Sequence, residues 1–113
     1  MPEYKKQVLE LVKLIPSGKV TNFGTIGKLV GISGQMVGWI LSGMTEDQWN
    51  QRDSIPWYRV VAKDGSISSL KLGIKGEIQR QILLDQGYTL IDNKVDMTRH
   101  LYGFEDCLFE KTL

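Results

Sequence analysis

The chain has 113 residues, near the commonest size of one domain, and 42% of them are hydrophobic, which is enough for a core. Its net charge of +1 is weak for a nucleic-acid binder, so total charge argues neither for nor against a DNA partner. No apolar run approaches the roughly 20 residues of a membrane span, and the first residues lack the apolar block of a secretory signal. We therefore expect a cytoplasmic protein with no membrane partner.

Cysteine and histidine are scarce. Cys107 and His100 are the only residues of their types. Two such side chains cannot assemble the usual four-ligand zinc site, and no phosphate-cradling glycine motif occurs. We expect no metal and no cofactor, and we interpret Cys107 as a structural or incidental thiol.

Residues 3–14 predict a first amphipathic helix. Its apolar stripe consists of Tyr4, Val8, Leu11, Val12 and Ile15. Pro16 ends this helix, since the residue before a proline leaves the helical region, and Gly18 supports a turn.

The next segment predicts a helix-turn-helix. Asn22 can cap a helix that runs to about Val30, and Ser33 can cap a second helix that runs to about Leu41 before Gly43 stops it. Gly31 lies in the turn between them, where left-handed backbone is often needed.

Small residues and apolar spacing indicate how this helix pair packs. Gly27 and Gly38 would let the two helices approach closely, with Val37 and Ile40 turned inward. The spacing fits a DNA-binding helix pair, but many helical hairpins that only pack together share it.

The rest of the chain predicts a loop over 44–54, a short hairpin between 59–62 and 66–68, and a helix over 77–86 that Gly87 ends. Apolar residues in 101–109 indicate that the C-terminal residues pack on the domain. The predicted fold class is α+β: a mostly helical, winged-helix-like single domain over 1–113, with a helix-turn-helix and a small β-hairpin.

Several segments, in the right order, resemble the O6-alkylguanine-DNA alkyltransferases over about residues 15–90, with 91–113 as an extension. The matching segments are Ile15-Pro16-Ser17-Gly18-Lys19-Val20, Val37-Gly38, Ile55-Pro56, Arg59-Val60-Val61, Asp64-Gly65 with Ile67-Ser68, and Leu83-Leu84-Asp85-Gln86-Gly87. The resemblance implies the fold of the alkyltransferase C-terminal domain.

The segment that resembles the family's active-site motif Pro-Cys-His-Arg-Val is altered. Trp57 holds the cysteine position, Tyr58 the histidine position, and Gln86 that of the glutamate that orients the histidine. Alkyl transfer needs a thiolate and a base to form it, so the resemblance implies a protein without catalytic residues. The chain is similar to the alkyltransferase-like proteins, which bind alkylated DNA without repairing it.

The resemblance also implies the DNA mode. The second helix of the pair enters the minor groove, and the damaged nucleotide rotates into a pocket, at a cost of a few kcal/mol. The implied lesion pocket consists of Trp57, Tyr58, Arg59, Val60, Ser68 and Ser69. The implied DNA-binding residues are Phe23, Ser33, Gly34, Gln35, Met36, Gly38 and Trp39.

Within that pocket, the carbonyls of Trp57 and Val60 would accept from the guanine amino group, and a backbone amide near Ser68 or Ser69 would face O6. The implied partners are double-stranded DNA that contains O6-alkylguanine and the damage-recognition proteins of nucleotide excision repair. We expect a monomer associated with the nucleoid.

Two departures from the family leave alternatives open. Phe23 stands where the family has tyrosine, and Gln35 where it has the arginine that fills the vacated base stack. These changes favour a helix-turn-helix DNA-binding protein or regulator without lesion specificity. A residual enzyme that uses Cys107 is the third reading.

Overall fold

The computed structural model describes residues 2–44, 47, 50, 54–67 and 74–104. For residues 2, 3 and 74–76 only the backbone is described. The helices in these ranges are α1 (Pro2–Leu14), α2 (Phe23–Val30), α3 (Gly34–Ser42), α4 (Ile74–Asp85) and α5 (Met97–His100). The strands are β1 (Thr21–Asn22), β2 (Val60–Val61), β3 (Leu90–Ile91) and β4 (Lys94–Val95), and a 3-10 turn covers Trp57–Arg59. The prediction of a mostly helical α+β fold is confirmed.

The core forms where α1 packs against the α2–α3 pair. Val8 and Val12 of α1 and Ile15 just after it are buried there, as the predicted stripe requires. Tyr4 was expected on the same stripe but is 38% exposed, because it lies a full turn before the first buried position of the helix.

The helix-turn-helix has the predicted capping. The Asn22 side chain accepts from the Thr25 N–H at 2.8 Å, and the Ser33 hydroxyl accepts from the Met36 N–H at 3.1 Å. Gly31 ends α2 in the left-handed region with φ of +93°, a conformation that favours glycine. Local side-chain and glycine signals therefore set both helix starts and the turn.

The close approach of α2 and α3 depends on Gly27, as predicted, and on Gly34 rather than Gly38. A Cβ on Gly27 would lie 2.5 Å from the Ile32 carbonyl oxygen, and one on Gly34 would lie 3.1 Å from the Gly24 nitrogen. A Cβ on Gly38 would meet only the Phe23 ring, at 4.0 Å. The prediction is confirmed for Gly27 and wrong for Gly38, which has room for a methyl group.

The hairpin predicted between 59–62 and 66–68 is present only at its turn, where the Ala62 N–H donates to the Ser66 carbonyl and the Gly65 N–H to the Ala62 carbonyl, each at 2.9 Å. β2 pairs in parallel with β1, with Thr21 opposite Val60 and Asn22 opposite Val61. Ser66 forms an isolated bridge with Lys94. Both valines of β2 are buried, and such a strand pairs inside the fold, here with a segment some forty residues upstream. The small antiparallel hairpin is β3–β4.

The segment after α4 packs on the entry to β1, which confirms the expectation for the C-terminal residues as far as Phe104. Val20 and Leu101 form a parallel bridge, the Val20 N–H donates to the His100 carbonyl at 2.9 Å, and the Tyr102 N–H donates to the Val20 carbonyl at 2.8 Å. His100 lies between Gly18, whose carbonyl is 2.8 Å from Nδ1, and the Thr89 N–H, which donates to Nε2. Cys107 lies outside the described residues.

Tyr88 makes a testable contribution to this packing. Its hydroxyl donates to the Lys19 carbonyl at 2.8 Å, and burial raises the pKa of Tyr88 above its ordinary value. The folded state therefore favours the neutral phenol, so this stabilisation is present below about pH 10 and is lost as the pH rises further. Tyr88→Phe should cost about 1 kcal/mol of unfolding free energy at pH 7 and less near pH 11, measured by urea denaturation.

The matched control is Tyr4→Phe, at a partly exposed tyrosine of α1. It should leave the unfolding free energy nearly unchanged at both pH values. A Tyr88→Phe cost that is the same at pH 7 and pH 11 would contradict the role given to the buried hydroxyl.

Within the described ranges, no helix is long and apolar enough to cross a membrane. The same residues contain no group of three or more His, Cys, Asp or Glu side chains that could hold a metal ion.

Candidate nucleic-acid interface

The outer face of α3 presents large side chains to solvent. Trp39 is 64% exposed and Met36 is 36% exposed, and Gln35 beside them is exposed as well. The opposite face of the helix is fixed in the core through Val37 and Leu41. A tryptophan this exposed on a rigid helix is typical of a surface that contacts a partner.

The starts of α2 and α3 meet beside this face. Gly34 lies against the Phe23 and Gly24 backbone, and the Phe23 ring would lie 4.0 Å from a Cβ on Gly38. Ser33 uses its hydroxyl to cap α3. The structure therefore brings Phe23, Gly34 and Gly38 together, while the Ser33 side chain is occupied within the protein.

Charge around the helix pair is one-sided, although the net charge of the chain is only +1. Between Glu10 and Glu46 the chain has no aspartate or glutamate, and it carries Lys13, Lys19 and Lys28 in that stretch. This stretch includes β1, α2 and α3. The acids lie elsewhere in the sequence, so the helix pair offers phosphates no repelling carboxylate of its own.

The 3-10 turn contains the altered motif, and each of its three side chains contacts a different residue. Trp57 is 5% exposed, and its ring meets the Tyr58 ring edge-on at 5.9 Å. The buried Tyr58 hydroxyl accepts from Gln86 Nε2 at 3.0 Å. Arg59 Nη1 donates to the Ile15 carbonyl at 2.9 Å, and its guanidinium lies 5.3 Å from the centre of the Tyr58 ring. The turn is thus fixed to the ends of α1 and α4.

The backbone of this turn has a second support that the sequence analysis missed. Gln79 of α4 is buried, and its Nε2 donates to the carbonyls of Tyr58 and Val60, each at 3.0 Å. The Val60 N–H donates to the Trp57 carbonyl. The one available signal was position: a glutamine four residues before the inward Leu83 lies on the buried face of its helix.

Known proteins share this arrangement of helices. The family model for the DNA-binding domain of 6-O-methylguanine DNA methyltransferase matches residues 3–87. The chain belongs to this family. The resemblance to the alkyltransferases is confirmed.

Two relatives of this family member have informative names. A DNA base-flipping protein of Escherichia coli (strain K12) is 31% identical over 104 residues, which cover 89% of this chain and 75% of that protein. Alkyltransferase-like protein 1 of Schizosaccharomyces pombe is 28% identical over 89 residues, which cover 77% of this chain and 78% of that protein.

A solved structure shows the same fold. The structure of S. pombe Atl1 in complex with damaged DNA containing O6-carboxymethylguanine has a TM-score of 0.78 to this methyltransferase-family chain. The match is 24% identical and covers 90% of this chain and 96% of that one.

The residues at the positions of the family's cysteine, histidine and glutamate contact one another, although all three residue types differ. By the motif resemblance, Tyr58 and Gln86 hold the positions of the histidine and the glutamate, and the two side chains are hydrogen-bonded. The residue that holds the cysteine position, Trp57, packs edge-on against Tyr58. Of the predicted pocket residues, the structure brings together Trp57, Tyr58, Arg59 and Val60, whereas Ser68 and Ser69 lie outside the described residues.

Proposed function

We propose that this chain recognises O6-alkylguanine in double-stranded DNA, rotates the damaged nucleotide out of the helix and leaves the alkyl group in place. The observation that carries the proposal is the Trp57–Tyr58–Gln86 cluster in the place where the family motif has cysteine, histidine and glutamate. The family membership and the names of the relatives support a DNA-binding, base-flipping role.

The chemistry of this cluster supports a role without alkyl transfer. Displacement of an alkyl group from guanine O6 needs a nucleophile such as a thiolate, which Trp57 cannot supply. The neighbouring pair is a phenol that accepts from a neutral amide, so it contains no group to take a proton at neutral pH. An indole can still form a flat apolar wall for a flipped base, and base–aromatic stacking is worth about 1–3 kcal/mol.

The DNA contact is assigned to α3. Its exposed face carries Gln35, Met36 and Trp39, and apolar side chains of this size serve as wedges between base steps in minor-groove binders. Gly38 leaves the helix backbone open beside the Phe23 ring, which allows close approach to the groove. The stretch between Glu10 and Glu46 contains no aspartate or glutamate, so α3 and its surroundings in the sequence do not repel DNA phosphates, although the net charge of the chain is only +1.

Gln35→Arg is expected to tighten binding to plain and lesion duplexes alike. A guanidinium adds charge and a planar surface that stacks on bases, worth roughly 0.5–2 kcal/mol as a cation–π contact. Equilibrium titration at fixed salt measures the change. Gln35→Lys is the matched control, since it adds the charge without the plane and should tighten binding less. Weaker binding of Gln35→Arg to both duplexes would contradict the placement of this residue in the groove.

The second candidate is a helix-turn-helix DNA-binding protein or regulator without lesion specificity, favoured by the exposed helix face together with Phe23 and Gln35 at the altered positions. Competition between two matched duplexes, one with guanine and one with O6-methylguanine at its centre, separates the two functions. Preference for the lesion duplex supports the proposed function. Equal competition by both duplexes would leave only the plain DNA-binding role.

The proposal also covers the protein partners of the chain and its location in the cell. A bound lesion that is not repaired must pass to another system, and we assign that handover to the damage-recognition proteins of nucleotide excision repair. The chain would act as a monomer in the cytoplasm, associated with the nucleoid. Joint binding of such a protein and this chain on a lesion duplex, and on no plain duplex, would support the handover.

A further inference from the structure

We propose that Gln79 is a positioning residue for lesion recognition, because it fixes the direction of the backbone carbonyls of the 3-10 turn. Gln79 is 3% exposed, and its side-chain amide donates both hydrogens, one to the Tyr58 carbonyl and one to the Val60 carbonyl. The proposal rests on the proposed function, since it concerns how the same site tells a damaged guanine from a plain duplex.

The chemistry of the contact fixes the orientation of the amide. Both partners are carbonyl oxygens, which only accept, so the amide nitrogen must face them and the amide oxygen cannot. One side chain of α4 therefore sets the Tyr58 carbonyl within the turn and the Val60 carbonyl just after it. A buried donor that satisfies two acceptors is costly to remove, because each acceptor would lose its partner in a site sheltered from water.

The turn depends on this support more than an ordinary loop would. It is three residues long, and Pro56, which precedes it at the N-cap position, provides no side-chain cap. Its own backbone gives the Val60 N–H to the Trp57 carbonyl. Val60 follows the turn directly as the first residue of β2, and its carbonyl accepts one hydrogen bond from Gln79. A carbonyl oxygen has two lone pairs, and we assign the second one to the base.

By holding the Val60 carbonyl in a fixed direction, Gln79 would aim the second lone pair of that oxygen at the flipped base. A flipped guanine offers an amino group beside its ring, and a carbonyl whose direction is fixed in advance binds such a donor better than one that must be ordered on binding. The contacts proposed for plain duplex are those of α3, whereas Gln79 belongs to α4. Gln79 should therefore affect the preference for the lesion and not the affinity for plain DNA.

The test compares Gln79→Met with the wild-type chain. Methionine keeps the length and apolar volume of the side chain but has no donor. The lesion-over-plain affinity ratio should fall about fivefold or more, the factor of one net hydrogen bond, with plain-duplex affinity unchanged. Gln81→Met is the matched control: this exposed glutamine of the same helix contacts Asp85 and should leave the ratio unchanged.

A second variant, Gln79→Glu, should make the lesion-over-plain affinity ratio depend on pH, which a purely structural role of Gln79 would not. In Gln79→Glu an ionised carboxylate would face two carbonyls without a hydrogen to donate, whereas its protonated form donates one. Burial favours the protonated form, so the affinity ratio of this variant should rise as the pH falls from 8 to 5, with the wild type flat over that range. Circular dichroism at each pH restricts the comparison to folded protein.

Each outcome decides the matter. A folded Gln79→Met chain that keeps the wild-type ratio overturns the positioning role, as does a folded Gln79→Glu chain with the same ratio at pH 5 and pH 8. If Gln79→Met does not fold, the pH comparison alone decides. A wild-type chain without lesion preference overturns the proposed function itself, whatever the variants do.

Discussion

Trp57→Ala is expected to weaken binding to an O6-alkylguanine duplex by about 1–3 kcal/mol, the value of one base–aromatic stacking contact. Binding to the plain duplex should change little, because Trp57 is buried within the turn and the contacts to plain DNA are proposed for α3. Fluorescence-anisotropy titration of matched duplexes measures both affinities.

The burial of Trp57 also predicts a large effect on stability. Removal of a tryptophan from a core costs about 3–5 kcal/mol of unfolding free energy, so the binding assay must be run well below the melting temperature of the variant. Trp57→Phe retains a flat ring in the same place and should keep a larger share of the lesion affinity.

A core variant away from the turn separates stability from recognition. Val8→Ala opens a small cavity on the buried face of α1 and should lower the unfolding free energy without changing the lesion-over-plain ratio. If folded Trp57→Ala binds the lesion as tightly as the wild type, Trp57 is a core residue only and the pocket assignment fails.

The second large effect is expected at Gly27. A methyl group there would lie 2.5 Å from the Ile32 carbonyl oxygen, a backbone atom of the helix-turn-helix turn that cannot move without the turn. Gly27→Ala should therefore cost about 1–3 kcal/mol of unfolding free energy, in spite of the higher helix propensity of alanine. Thermal or urea denaturation measures this loss.

Gly38→Ala is the matched variant with the opposite expectation. Its methyl group would meet only the Phe23 ring at 4.0 Å, so the fold should gain up to about 1 kcal/mol from helix propensity. Binding to both duplexes should nevertheless weaken, because the methyl group would separate α3 from the groove. A stabilised Gly38→Ala chain with unchanged DNA affinity would show that this part of α3 does not approach DNA.

The helix-turn-helix could be predicted from the sequence because its signals are local. Asn22 and Ser33 each cap the helix that begins at the next residue, and Gly31 takes the left-handed backbone that its position in the turn requires. The parallel partner of β2 could not be predicted, since strands of two residues carry almost no pattern and the pair is some forty residues apart.

The candidate site could likewise be predicted from the sequence only in part. The motif resemblance was enough to single out Trp57, Tyr58 and Gln86, but the depth at which the two aromatic rings are buried is a property of the packed fold. Gln79 went unnoticed because a glutamine inside an amphipathic helix has no distinctive spacing. Its role follows only from the two backbone carbonyls that the fold brings within 3.0 Å of it.

Recognition without transfer is tested most directly by one titration with recovery of the DNA. Matched duplexes with guanine or O6-methylguanine at the centre are titrated at fixed salt, and the bound lesion strand is then recovered and digested to count the remaining methyl groups. The account predicts tighter binding to the lesion duplex and every methyl group still on guanine. Equal binding to both duplexes, or loss of the methyl group from the recovered strand, would contradict it.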